Sequence, residues 1–239
     1  MTSEEYKFIK LLEEGKINEI NQTTWTSNFK ELKIKKCHQI DNLIFPNTLE
    51  ILHFGIYFNL QLENIKLPDS LIELRFGSNF NQSLDKVIFP VSLKSIEFEG
   101  KYTCSIDNVK FPESLEILNF GPLFNQSIEN IKLPKGLKTL KLGYNYCHPI
   151  DTIVFPENLE NLSLGKSFDK SLNNLPINLI NLELNGLNTP LSNLPYKLNS
   201  LSVYIIKSKF DIMNKYLELS KIPFGCTLRK IIINSYNWW

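Results

Sequence analysis

Two cysteine–histidine pairs, Cys37-His38 and Cys147-His148, are the residues of this chain best suited to chemistry. A thiolate and an imidazole can ligate zinc, or can act as a nucleophile and its general base. Either use requires several such side chains to meet at one site. The two pairs lie in different halves of the chain, and the third histidine, His53, stands apart from both. The elements that carry these residues therefore decide whether they converge.

Prolines at a regular spacing define those elements. The first five intervals are 22 residues each, and the last two are 20 and 19. A fixed period in this range is typical of coils that stack into a solenoid, in which each coil contacts only its neighbours. The prolines that begin the units are Pro46, Pro68, Pro90, Pro112, Pro134, Pro156, Pro176 and Pro195.

Within each unit, numbered from its proline, apolar residues recur at +3, +6, +8, +12, +16, +19 and +21. The alternation at +6 and +8 predicts a short strand with +7 pointing outward. The residues before the next proline predict a second extended stretch. A glycine at +9 in most units predicts a tight turn, and Glu99 replaces it in the third unit. No segment has helical periodicity long enough for a crossover helix, so we expect parallel strands from successive coils.

This architecture separates the cysteine–histidine pairs. They occupy equivalent positions five units apart, which is roughly 24 Å at about 4.8 Å per coil. A zinc ion cannot bind both pairs across such a distance. His53 has no repeat-equivalent acid beside it. We therefore expect these residues to be structural, and we expect no catalytic residue, no metal and no cofactor.

The runs Phe58-Asn59, Phe80-Asn81-Gln82-Ser83-Leu84 and Phe124-Asn125-Gln126-Ser127-Ile128 each lead to a proline. With this spacing, residues 25–206 resemble FNIP repeats, a variant of leucine-rich repeats known mainly from amoebae and the large DNA viruses that infect them. The resemblance implies a leucine-rich-repeat-like, mostly β solenoid that mediates interactions without known catalysis. Some relatives carry an F-box, which implies substrate reception for a ubiquitin ligase. The segment that precedes the repeats here, 1–24, is too short for one.

We expect three regions: a helical cap over 1–24, about eight repeat units over 25–206, and a second cap over 207–239. In the first, a helix over residues 3–14 has Ser3 as its N-cap and Gly15 as its stop, with Tyr6, Ile9 and Leu12 against the first coil. In the last, we expect a helix over 208–220, a strand over 228–233, and packing by Trp238 and Trp239.

Small polar residues recur at +13. We expect them at an inward corner, where their side chains hydrogen-bond the turn backbone of a neighbouring coil. This ladder comprises Asn59, Asn81, Thr103, Asn125, Cys147 and Asp169.

Outward positions vary most from unit to unit. Mixed charges at +7 beside apolar residues in the adjoining turns are suited to binding a protein. The predicted binding residues are His53, Arg75, Glu97, Asn119, Lys141 and Glu183 at +7, with Tyr57, Leu123 and Tyr144 in the turns. Two alternatives stay open: an adaptor that acts as a substrate receptor for a ubiquitin ligase, and a purely structural repeat protein with no specific ligand.

Charge and composition narrow the class of partner. The formal net charge is +1, which gives no basic excess for nucleic acid, although Lys33, Lys35 and Lys36 form a local basic patch. No apolar stretch is long enough to span a membrane. The chain begins without a secretory signal and its four cysteines form no CxxC motif. We expect an intracellular, cytoplasmic monomer (in the host cell if the chain is viral) with a protein partner that the sequence does not identify.

Overall fold

The computed structural model describes residues 2–25, 29–35, 37–186, 190–191, 193–206 and 221–233. Its sheet contains ten parallel strands in sequence order, with each strand paired to the one before it along the chain. The strands are β1 (Glu31–Ile34), β2 (Ile51–Phe54), β3 (Glu73–Phe76), β4 (Ser95–Phe98), β5 (Ile117–Asn119), β6 (Thr139–Lys141), β7 (Asn161–Leu164), β8 (Asn181–Leu184), β9 (Ser200–Ile206) and β10 (Thr227–Ile233). The predicted solenoid of stacked coils is confirmed.

Each strand from β2 to β8 begins at +5 of its unit and pairs with the same position of the next coil, as in Leu52 to Leu74 to Ile96. The side chains at +6 and +8 point into the core and are buried, whereas +7 faces outward. The second predicted extended stretch does not build another sheet. Among the described residues it makes one isolated bridge, from Ile44 to Lys66. Proline removes a backbone donor from this side of every coil, which disfavours a continuous ladder.

Aromatic rings fill the core of the first coils in two adjacent columns. Ring centroids at +8 and +12 of the same coil lie 4.0 Å apart for Phe54 and Phe58, and 4.1 Å apart for Phe76 and Phe80. Aliphatic residues replace the +8 aromatic residues from Leu142 onward: Leu142, Leu164, Leu184 and Val203. Because every coil places apolar side chains at the same depth, the buried residues of successive coils form one continuous core.

The turn after each strand brings the backbones of successive coils close together. A Cβ added at Gly77 would lie 2.4 Å from the carbonyl carbon of Gly55, which is closer than side-chain atoms approach backbone. Glycine at +9 therefore allows the coils to stack at the spacing of the sheet.

Two helices precede the sheet: α1 (Ser3–Glu13) and α2 (Ile17–Gln22). Helix α1 ends before Gly15, which has a φ of 71°, as predicted. The expected N-cap was wrong, because Thr2 rather than Ser3 forms a capping box with Glu5. The expected inward position of Tyr6 was also wrong. Tyr6 is 59% exposed, and Phe8, Leu11 and Leu12 form the buried side.

The predicted strand over 228–233 corresponds to β10. The predicted helix over 208–220 and the pair Trp238-Trp239 lie outside the described residues. The three-region division stays a prediction. Among the described residues, no helix is both long enough and apolar enough to traverse a lipid bilayer.

Candidate partner-binding surface

The +7 side chains form one row across the outward face of the sheet. Strand pairing places His53, Arg75, Glu97, Asn119 and Lys141 in successive cross-strand positions. The row continues through Ser163 and Glu183 to Ser202. Because the pairing is parallel and in register, equivalent residues of successive coils become neighbours about 4.8 Å apart. We call this row, with its adjoining turns, the sheet-face strip.

Part of the strip surrounds a depression of about 380 Å³. Arg75, Glu97, Asn119 and Lys141 line it, and Tyr144 closes it on the side of the turns. A second depression of about 300 Å³ contains Lys141 and Glu183. The fold thus brings six of the nine predicted residues to two neighbouring depressions. His53, Tyr57 and Leu123 line neither of them.

Charges within the first depression are partly paired. The guanidinium of Arg75 contacts the carboxylate of Glu73 and lies 3.8 Å from that of Glu97. These acids raise the pKa of Arg75, with the hydrogen bond to Glu73 as the main cause. Arg75 thus stays cationic between two carboxylates, and Lys141 remains exposed. A partner meets both signs of charge on this surface.

Glu99 belongs to this surface, and the sequence reasoning missed its role. One of its carboxylate oxygens, Oε1, lies 3.3 Å from Nε2 of His53, two coils away. Burial lowers the pKa of His53 below its ordinary value, and the Glu99 carboxylate acts in the opposite direction. The replacement of the +9 glycine by Glu99 was the signal that could have indicated this contact.

The turns beside the strip expose apolar side chains. Ile56 is 55% exposed and Tyr57 75% exposed, and Leu123 occupies the equivalent turn three coils later. The ammonium group of Lys166 lies 5.5 Å from the ring centroid of Tyr144. Aromatic residues are enriched at the centre of protein interfaces, and polar residues form the rim.

Hydrogen bonds link the side chains at +13 to the backbone of neighbouring coils. The side-chain Oδ1 of Asn59 accepts from the backbone N–H of Asn81 at 2.8 Å, and Oδ1 of Asn81 accepts from that of Thr103 at 2.8 Å. Asn125 accepts from Cys147 in the same way at 3.0 Å. The expected inward position is wrong, because Asn59, Thr103 and Asp169 are exposed. The aromatic residue at +12 points into the core, so its successor points away.

Two further sets of inter-coil contacts were not predicted. Hydroxyl groups at +2 donate to the preceding coil, as Ser70 does to the carbonyl of Leu49 at 2.6 Å and Ser92 to that of Leu71 at 2.8 Å. At +4, Glu116 binds Lys94 at 2.6 Å and Lys138 at 2.7 Å. The sequence feature that could have predicted these contacts is a serine or a charged residue that recurs at a fixed position of the repeat.

Two residues of the cysteine–histidine pairs, His148 and Cys37, have surroundings that suit a structural role. The imidazole of His148 lies 2.9 Å from the backbone oxygen of Asn125. Burial raises the pKa of the Cys37 thiol to about 11, which keeps it protonated near neutral pH. Among the described residues, no three side chains of the kinds that ligate metals are grouped closely enough to hold an ion.

The comparisons with known proteins agree with this geometry. A family model described as FNIP Repeat matches residues 38–79, 80–123, 124–167 and 146–187. CroV588, whose crystal structure is described as a novel circular LRR protein structure, is 32% identical in sequence to this chain, and the two structures align with a TM-score of 0.69. The alignment covers 85% of this chain but 30% of CroV588, so this chain spans less than a third of its length.

A leucine-rich repeat protein from Bacteroides ovatus aligns over 88% of this chain and 64% of its own length, at 14% identity. Its TM-score of 0.19 is too low to support a structural argument. Curated proteins gave no significant match.

Proposed function

Because the chain belongs to the FNIP repeat family, with a leucine-rich-repeat-like fold typical of interaction modules, we propose that it is a non-catalytic module that binds a protein in the cytoplasm. The binding site is the sheet-face strip. The observation that carries this proposal is the depression lined by Arg75, Glu97, Asn119 and Lys141. In it, side chains that vary from coil to coil lie together on a scaffold of repeated contacts.

The mechanism is rigid display. Strand pairing fixes each coil to its neighbours, and the +2 hydroxyl bonds and the +13 ladder add contacts between several of them. The strip therefore loses little conformational freedom when a partner binds. Exposed Tyr57 and Leu123 supply apolar anchors, and the mixed charges select the orientation of the partner.

Affinity capture with three versions of the full chain tests this proposal. The first is the unchanged chain. The second replaces Arg75, Glu97 and Lys141 with alanine, and the third replaces Lys66, Lys110 and Glu157, which are exposed in the loops beside the prolines. Both variants remove two cations and one anion. We expect the strip variant alone to lose the captured partner, with unchanged circular dichroism and urea midpoint.

Equal recovery with the strip variant and the unchanged chain would contradict this placement of the site. Recovery of ubiquitin-ligase subunits would favour the adaptor alternative. An absence of any reproducible partner would favour the purely structural one.

A further inference from the structure

Two departures from the repeat meet on the outward face of the sheet. His53 is the sole histidine at +7, and Glu99 occupies +9, where the other five of the first six units have glycine. The two residues lie two coils apart in the stack, yet Oε1 of Glu99 lies 3.3 Å from Nε2 of His53. Because neither residue type recurs at its position, the stacking of the coils does not require this contact.

The mobility of the two side chains differs. The imidazole of His53 is 12% exposed, whereas the side chain of Glu99 is 44% exposed. In the intervening coil, the residue at +9 is Gly77, which contributes no side chain to the column that contains Glu99. The imidazole is therefore held by its surroundings, and the carboxylate has more room to move.

Charged groups face His53 from both neighbouring strands and from the turn after β4. Lys33 of β1 and Arg75 of β3 occupy the cross-strand positions beside it. Burial lowers the pKa of His53, and the Glu99 carboxylate opposes that effect. Weaker contributions come from Lys33 and Arg75, which also lower the pKa, and from Glu31, which raises it. Among these groups, Glu99 therefore does most to stabilise the protonated imidazole.

The Glu99 carboxylate lies near two cationic groups of different kinds. Arg75 is always charged, and Glu99 is among the acids that raise its pKa. Arg75 already has two other carboxylate neighbours, Glu73 and Glu97. His53 is charged only after its imidazole has taken a proton from the solvent. The position of the Glu99 carboxylate between the guanidinium and the imidazole thus depends on whether His53 carries that proton.

We propose that His53 and Glu99 form a pH-dependent switch beside the first depression. When the imidazole is protonated, Glu99 forms an ion pair with His53, and the distance of 3.3 Å corresponds to this arrangement. When the imidazole is neutral, the carboxylate turns towards Arg75. Glu99 and Arg75 both line the first depression, so its shape and charge change with pH. The consequence for a partner rests on the proposed function, whereas the switch itself does not.

Nuclear magnetic resonance of the histidine side chains tests the switch in the full chain without a partner. The chain has three histidines, and the variant His53→Gln identifies the signal of His53. We expect this signal to titrate at a lower pH in Glu99→Gln than in the unchanged chain, because the variant lacks the carboxylate that stabilises the imidazolium. The matched control is Glu97→Gln. It removes a carboxylate from the same face, but one that lies beside Arg75, so it should shift the titration less.

The free energy of unfolding provides a second measurement. Urea unfolding of His53→Gln, Glu99→Gln and the double variant forms a cycle that isolates the interaction between the two side chains. We expect a favourable interaction at about pH 5 and a smaller one at about pH 8. The same titration of His53 with and without Glu99, or an interaction of equal size at both pH values, would overturn the proposal. Either result would leave the proposed function standing, and a failed capture experiment would leave the switch standing.

Discussion

Tyrosine hydroxyls interrupt a buried column that is otherwise phenylalanine. At +12 the core contains Phe58, Phe80 and Phe124, but also Tyr102 and Tyr146, and all five side chains are buried. The Tyr102 hydroxyl has no hydrogen-bond partner among the described residues. Burial raises its pKa far above the ordinary value, so the group stays protonated. A buried hydroxyl without a partner costs free energy that a phenylalanine would not.

Replacing Tyr102 with phenylalanine should therefore stabilise the protein by about 1 kcal/mol. The ring keeps its stacking on Phe98, at a centroid distance of 4.1 Å, and loses only the oxygen. Urea unfolding followed by circular dichroism gives the change in unfolding free energy. The reciprocal change Phe124→Tyr is the control and should destabilise by about 1–3 kcal/mol. A lower stability of the Tyr102→Phe variant would show that the hydroxyl is hydrogen-bonded.

Charged residues at +4 form short ladders across the entries to the strands. Glu116 accepts hydrogen bonds from Lys138 and Lys94, which together lower its pKa from 4.5 to about 2. The glutamate side chain is 28% exposed and both lysines are more than half exposed, so water screens much of this attraction.

The lowered pKa predicts a pH dependence of stability. A carboxyl group with a lower pKa in the folded state stabilises that state above pH 4.5, and this contribution disappears as the pH falls towards 2. Glu116→Gln should lower stability by less than about 1 kcal/mol at pH 7, and the difference should vanish near pH 2. Urea midpoints measured across this range provide the comparison, with Glu160→Gln as the control. If the stability difference between the Glu116→Gln variant and the unchanged protein stays constant with pH, the lowered pKa of Glu116 would be contradicted.

Helix α1 packs against the first coil through its buried side, and the sequence pattern identified only part of that side. Leu12 was correctly expected to be buried, whereas Phe8 rather than Tyr6 fills the space against Trp25 and Phe29. Tyr6 and Phe8 are both large aromatic residues on a short helix, and their spacing does not show which of them meets the first coil.

Phe8→Ala should cost about 3–5 kcal/mol of unfolding free energy, because it leaves a cavity at the capped end of the core. Tyr6→Ala should change stability by less than about 0.5 kcal/mol, since the side chain is mostly exposed. Both changes are read from urea midpoints of the full chain. Similar losses for the two variants would show that α1 packs through a different side.

Each interior coil is an interchangeable unit, because contacts run between neighbouring coils in one register. Deleting residues 91–112 removes one 22-residue period and joins Pro90 to Glu113, so every later position keeps its phase. The shortened chain should fold cooperatively with a lower urea midpoint. Deleting only residues 91–101 should abolish cooperative unfolding, since half a period turns the buried positions outward. A cooperative transition in the half-period variant would contradict this view of the coil.

The sequence by itself determined the period, the coil, the short strand around +6 to +8 and the outward row at +7. These follow from local rules: alternation sets the faces of a strand, and a constant period places equivalent residues side by side. The family resemblance rested on the same local pattern, and the family model confirms it.

Only the tertiary structure decided the contacts that cross from coil to coil at different positions. The approach of Glu99 to His53 over two coils depends on side-chain reach, which no single unit encodes. The exposure of the side chains at +13 depends on how each turn lies against the next coil, which the residue pattern of a unit does not encode. The burial of Phe8 arises where the first coil meets α1, and there the repeat no longer supplies the same surroundings on both sides, so periodicity alone could not predict it.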